Sequence, residues 1–374
     1  MHEVTLLINI AVTLVVAFIG GVLARRMGLP TIVGYLIAGI IIGPFTPGFV
    51  GDTEMISQLA ELGVIFLMFG VGLHFSLNDF WKVRSIAIPG ALGRMLITIL
   101  LAFWLSRSWG WSITSSIVIG LSISIASTVV LLRVLMDNGL LNTQQGQAAV
   151  GWVVVEDLAT VLILVLMPTL ADTSNGFDWG GLGLTLLKAA GFVVLLLFAG
   201  TRLIPWLLMR IAHTRSRELF ILAVLVIALG VALGAAELFG VSLALGAFVA
   251  GVVVNESPLS HQVGADILPF RESFAVLFFV SVGMLLKPGS LLASPWLAAG
   301  TLSIVLVVSP ITTFLFMWTV RQPFKASLTV ALALAQIGEF SFILSRLGRE
   351  MGLFTEEATN TIIATSIASI VLNP

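Results

Sequence analysis

This 374-residue chain has no cysteine, which excludes disulfides, thiolate nucleophiles and cysteine-ligated metals. Its four histidines (His2, His74, His213, His261) are scattered, with no HExxH-type metal spacing. Charge is scarce as well. Asp, Glu, Lys and Arg make up 10% of the residues, against about 25% in a soluble domain. The net charge is −1 and there is no polybasic or acidic tail, so nucleic acid is excluded as a partner. What fills the chain instead is apolar: 58% of residues are hydrophobic, far too many for the polar surface a soluble protein of this length must present. The composition predicts an all-α polytopic membrane protein whose surroundings are the lipid bilayer.

A bilayer core about 30 Å thick takes roughly 20 helical residues. Cutting the sequence at its charges and at Gly/Pro/Asn clusters predicts about 13 transmembrane helices. They lie near 4–24, 31–44, 56–77, 86–106, 113–135, 146–169, 182–210, 217–237, 241–254, 272–286, 296–320, 325–346 and 357–373. The spans 31–44 and 241–254 are short. The first span is expected to be a retained helix rather than a cleaved leader, because no basic segment precedes it and Arg25-Arg26 follow it. With the N-terminus outside, twelve basic residues fall on the inner side and four on the outer. The positive-inside rule therefore predicts an outside N-terminus and a cytoplasmic C-terminus, in the cell inner (plasma) membrane, and an odd number of spans requires the same.

The sequence also repeats itself. Gly34-Tyr35-Leu36-Ile37-Ala38-Gly39 aligns with Gly246-Ala247-Phe248-Val249-Ala250-Gly251 at an offset of 212, with both glycines and the alanine coinciding. Val64-Ile65-Phe66 matches Val276-Leu277-Phe278 at the same offset, and Val71-Gly72-Leu73 matches Val282-Gly283-Met284 after a one-residue slip. The equivalent spans are an odd number of crossings apart, which predicts inverted-topology repeats: 1–181 first, a linker helix over 182–215, then 216–374. The offset carries Ser124-Ile125-Ala126-Ser127-Thr128 onto Gln336-Ile337-Gly338-Glu339-Phe340. Both stretches put small or polar residues inside apolar spans, and matched interruptions of this kind point to a transporter site. Two crossing discontinuous helices are expected there, with freed carbonyls able to ligate a dehydrated cation; the alternative is Ser and Thr bonded to their own helix backbone.

One further feature conflicts with an apolar span. Glu156-Asp157 sit almost midway along 146–169. An ionised carboxylate at the bilayer centre costs at least about 2.5–3.5 kcal/mol, so such residues are usually functional. Adjacent helical positions point about 100° apart, so the two face different walls. Burial penalises the charged form, and a single buried acid that alternates between a proton and an alkali cation suffices for exchange. Asp157 and Glu156, with Thr128 and Ser127, form the expected ion site. Glu339 is expected, with Gln336 and Gly338, to compensate the partial positive charge of half-helix N-termini at the crossing; direct ligation of the ion by Glu339 is the alternative. Arg94 either pairs with a carboxylate or snorkels.

Gly28-Leu29-Pro30-Thr31-Ile32-Val33-Gly34-Tyr35-Leu36-Ile37-Ala38-Gly39 and Leu62-Gly63-Val64-Ile65-Phe66-Leu67-Met68-Phe69 resemble the monovalent cation:proton antiporter-2 family. Ser127-Thr128-Val129-Val130, Glu156-Asp157 and Gln336-Ile337-Gly338-Glu339-Phe340 extend the likeness over essentially the whole chain, closest to its Kef-type (YbaL-like) branch. The resemblance implies a 13-helix homodimer with a dimerisation domain and a mobile core. It makes Asp157 the essential ion-binding aspartate and Glu156 the variable position before it. It also marks two departures: Ser309 stands where relatives often carry a buried lysine, and the cytosolic nucleotide-binding regulatory domain of Kef-type relatives is expected to be absent from this chain. No GxGxxG fingerprint in a strand–turn–helix setting occurs.

The function implied is K+ or Na+ exchange for H+ by alternating access, with no cofactor in this chain. The rival is a ligand-gated, channel-like potassium efflux pathway controlled by the missing cytosolic domain; the lack of a TVGYG-type filter counts against it. An enzyme is not expected, because a lone central carboxylate pair supplies neither a nucleophile–His pair nor two separated catalytic aspartates.

Overall fold

The computed structural model describes residues 2–47, 49–74, 77–128, 131, 135, 139–140, 143–171, 179–240, 242–289 and 295–372. Every regular element among them is helical. In chain order these are α1 (His2–Arg26), α2 (Thr31–Ile42), α3 (Thr53–His74), α4 (Leu77–Ser108), α5 (Ile113–Ile123) and α6 (Gln144–Ala171). There follow α7 (Trp179–Leu195), α8 (Thr201–Ala212), α9 (Arg217–Phe239), α10 (Leu243–Asn255) and α11 (Ser260–Met284). The last are α12 (Pro295–Ser303), α13 (Ser309–Thr319), α14 (Phe324–Ala333), α15 (Glu339–Glu350) and α16 (Glu356–Leu372). Wide π turns over Leu196–Gly200 and Ile304–Val308 join α7 to α8 and α12 to α13.

Local chemistry sets these boundaries. The side chains of Ser112, Ser216 and Ser242 accept the amides of Ser115, Leu219 and Leu245 as N-caps. Gly240 ends α9 at φ 66°, a left-handed conformation that costs glycine nothing, with its N–H on the carbonyls of Ala235 and Ala236. Among the described residues seven helices are long and apolar enough to cross a membrane, within α1, α3, α4, α6, α9, α11 and α12–α13. Shorter apolar helices are α2, α5, α10 and α14. Large apolar side chains are left exposed, such as Phe18 at 70% and Leu238 at 79%, as expected where lipid rather than water is the solvent.

A boundary differs from the sequence reading. The span placed at 272–286 is the end of a helix that starts at Ser260. Cutting at Arg271-Glu272 misplaced it, because Val263 and Ile267 are buried while His261, Gln262 and Glu272 are exposed on the same helix. The span 325–346 is two helices, α14 and α15, separated by a non-helical stretch over 334–338, where the sequence places an interruption around Gln336-Ile337-Gly338.

The chain forms two compact units. One comprises Met1–Ile10, Asp52–Ser76 and Val161–Ser281. Its centre is α3 against α10, packed backbone to backbone: a Cβ on Gly72 would collide with the Phe248 carbonyl oxygen, and one on Gly251 with that of Phe69. The other unit comprises Ala11–Gly51, Leu77–Thr160 and Val282–Pro374. Here Gly283 lies against α2, where a Cβ would strike the Leu36 carbonyl oxygen and come within 3.0 Å of the Gly39 Cα. Its core gathers Ala87, Ala91, Leu131, Trp152, Val153 and Val330. Trp152 packs edge-on against Phe316, and its ring lies where Gly90 leaves room.

Candidate functional site

The site is built inside the second unit from α4, α6, the π turn before α13, and two interrupted segments. α5 ends at Ile123, residues 124–127 are not helical, and helix resumes at Thr128. α14 ends at Ala333 and α15 begins at Glu339. These two non-helical stretches meet. The Gly338 amide donates to the Ile125 carbonyl at 2.9 Å, and the Gln336 side chain bridges Ser127, accepting its amide and donating to its carbonyl, both at 3.1 Å. Gly338 is glycine for a steric reason, since a Cβ would stand 2.6 Å from the Ala126 carbonyl oxygen. The Ser369 hydroxyl accepts the Ile337 amide at 3.2 Å, and the Ser341 hydroxyl donates to the Ser122 carbonyl. Unwound backbone far from water needs such partners, and here side chains and the opposing break supply them.

On α6 the two carboxylates diverge as their spacing requires. Glu156 is fully buried and takes donors on both oxygens. Arg94 Nε and Nη2 reach Oε1 at 2.9 and 2.6 Å, and Nη2 reaches Oε2 at 2.6 Å. Trp152, one turn earlier, donates its indole N–H to Oε1 at 3.0 Å, and the Ala126 amide donates to Oε2 at 3.1 Å. Arg94, itself 2% exposed, also donates to the Ser309 hydroxyl (2.6 Å), the Leu334 carbonyl (3.2 Å) and the Ser124 carbonyl (2.8 Å). The last two are the carbonyl ends of α14 and α5, where a helix presents partial negative charge. Ser309 directly follows the π turn Ile304–Val308 and precedes Pro310, which has no N–H to continue the ladder.

Asp157, 5% exposed, turns to the other wall, where Thr128 Oγ1 donates to its Oδ2 at 3.0 Å. Thr128 is the residue at which helix resumes after the first break, so a carboxylate, a hydroxyl and a helix start converge there. Carboxylate, hydroxyl and carbonyl oxygens are the hard donors a desolvated alkali cation takes.

The structure thus brings Asp157, Glu156, Thr128, Ser127, Gln336 and Gly338 to one meeting point. Glu339 is the first residue of α15, immediately after the N-cap Gly338; its side chain lies outside the described residues. Arg94 is paired with Glu156 and does not snorkel. Sequence reading had left Arg94 open and missed Trp152 and Ser369. The spacing of Trp152 and Glu156, one helical turn apart, was the available signal for the indole.

The family model for the transmembrane sodium/hydrogen exchanger matches residues 14–374. The chain is 50% identical to YbaL of Escherichia coli (strain K12), whose name describes a cation/proton antiporter, over all of this chain and 68% of that protein. It is 32% identical to K(+) efflux antiporter 4 of Arabidopsis thaliana, over all of this chain and 63% of that protein. It therefore spans about two thirds of the length of these two relatives. The sodium proton antiporter MjNhaP1 from Methanocaldococcus jannaschii at pH 8 has the same fold, with a TM-score of 0.73 and 17% identity over 100% of this chain and 96% of that one.

Proposed function

This chain belongs to the sodium/hydrogen exchanger family, and from that premise we propose that it exchanges a monovalent cation, K+ or Na+, for protons by elevator-like alternating access. The observation that carries this reading is Asp157, buried mid-helix and bonded to Thr128 where two interrupted helices meet. Asp157 binds either the proton or the cation; Thr128, Ser127 and nearby carbonyls complete the shell. Gln336 and Gly338 hold the two breaks together, and Glu339 answers the half-helix N-termini. A channel needs no such competition, and the relatives' names describe antiporters.

The same reading takes the chain as two inverted repeats, 1–181 and 216–374, joined by a linker helix over 182–215 and making 13 crossings. Two reciprocal contacts support it. Gly72 meets Gly251 and Gly283 meets Gly39, so α3 packs on α10 in the same way that α11, the counterpart of α3, packs on α2, the counterpart of α10. The N-terminus lies outside and the C-terminus in the cytoplasm of the inner membrane. The working form is a homodimer, and a nucleotide-binding cytosolic domain is the regulatory partner.

Proteoliposomes holding a pH-sensitive dye test the exchange. Adding KCl or NaCl outside should alkalinise the lumen when the chain is present, and collapse of the membrane potential should leave that response in place. A cation flux that carries no proton movement would establish the channel instead.

A further inference from the structure

The geometry points to a binding site for an anionic glycerophospholipid in a recess beside α8, where Arg210 takes the lipid phosphate and His213 takes a hydroxyl of its headgroup. The site lies wholly within the first unit, on residues that the exchange reading does not use.

The sequence supplies the charge. From Arg202 to Arg217 the chain holds four arginines and His213, with no Asp or Glu among them. Helical spacing then sorts α8. Ile204 and Leu208, one turn apart, are buried, while Arg202, Trp206, Met209, Arg210 and His213 share the exposed face. Arg215 turns the chain back at φ 56°, a conformation that glycine or asparagine holds at less cost, and keeps a further cation at this end.

Packing leaves room there. A recess of about 780 Å³ opens between the end of α8 and Pro258, lined by Trp206, Met209, Arg210, His213 and Thr214. Its surroundings change in chemistry along the helix. Toward the start of α8 the exposed surface is apolar, with Phe198 at 66% and Leu203 at 61%; toward its end it is cationic. At about 1.5 Å per residue, Leu203 and Arg210 are about 10 Å apart along the axis, a distance that carries a lipid from acyl chain to headgroup. Trp206 stands between them, at the level where indoles gather in a membrane interface. On the orientation proposed above, this end of α8 meets the cytoplasmic leaflet.

Polar geometry selects the headgroup. Arg217 is paired with Asp266 at 3.2 Å and Arg202 lies over the Phe198 ring at 4.3 Å, whereas Arg210 has neither kind of partner among the described residues. Its guanidinium fork matches phosphate oxygens. His213 Nδ1 sits 2.6 Å from the Met209 carbonyl, which only accepts, so Nδ1 carries the proton of the neutral ring and Nε2 is left as an acceptor. An ionised phosphodiester offers that nitrogen no proton, but a headgroup hydroxyl does. Phosphatidylglycerol carries both groups. Phosphatidylcholine has no headgroup hydroxyl and brings a quaternary ammonium toward Arg210.

The test uses the full chain, delipidated in detergent and titrated with phosphatidylglycerol, phosphatidylcholine or soluble glycerol 3-phosphate. Thermal unfolding is followed at each step, and native mass spectrometry counts the lipid retained. Phosphatidylglycerol should raise the unfolding midpoint and stay bound, and the other two should do neither. Arg210→Gln should weaken that titration about tenfold or more. Lys325→Gln, at an exposed cation of the second unit, should leave it unchanged. Arg210 is exposed, so its replacement leaves the fold in place, and an unaltered titration in Arg210→Gln overturns the site. Equal binding of phosphatidylcholine, or an equal loss in Lys325→Gln, overturns it as well. A response to glycerol 3-phosphate that matches the lipid would show a free-phosphate site instead. None of these readouts needs transport, so their failure leaves the exchanger reading untouched.

Discussion

The α3–α10 contact in the first unit and the crossing of 124–127 with 334–338 in the second both press backbone against backbone, by opposite means. At the first, Gly72 and Gly251 remove every side-chain atom between two intact helices whose hydrogen bonds are already satisfied. At the second, the helices are broken, and Gln336, Ser369, Ser341, Arg94 and the opposing backbone must satisfy what the breaks expose. Packing of the first kind has nothing to exchange with a ligand. The second is costly to build, but it places oxygen donors and a carboxylate in the interior, where we propose that a small cation takes the place of a proton.

Substitutions can break this contrast, in decreasing order of expected effect. Gly72→Leu should be the most damaging to stability, about 3 kcal/mol or more, because the added atoms meet backbone that cannot swing aside. Thermal unfolding in detergent, read as loss of the monodisperse peak, measures it. Gly338→Ala should cost about 1–3 kcal/mol for the same steric reason, and unlike Gly72→Leu it should reduce exchange more than tenfold in whatever protein survives. Gln336→Leu keeps the bulk but strips the Ser127 amide and carbonyl of their side-chain partner, for a loss of about 1–2 kcal/mol on the same assay. At the far end, Arg217→Ala removes an ion pair with Asp266 whose arginine is 81% exposed; less than about 1 kcal/mol should be lost.

Much of this was legible from residues alone, for physical reasons. Scarce charge and long apolar runs have one stable outcome, spanning helices, and the fold follows that expectation. The breaks were legible because Ser, Gly and Gln in apolar spans weaken a helix, and the chain leaves helix over 124–127 and 334–338. The helix start at Ser260 was hidden because charge on an exposed face looks, in one dimension, like a loop. The partner of Arg94 was hidden because Glu156, Ser309, Ser124 and Leu334 come from distant parts of the chain, and no local pattern joins them. The π turn that sets Ser309 beside the guanidinium has no strong sequence signature beyond the proline after it.

One comparison in sealed vesicles bears most directly on the whole account: cation-driven proton flux through the wild-type chain and through Asp157→Asn, reconstituted at equal density and checked for intact folding. An asparagine cannot trade a proton for a cation, so the account predicts flux in the first and none above empty vesicles in the second. Undiminished flux in a well-folded Asp157→Asn protein would contradict it.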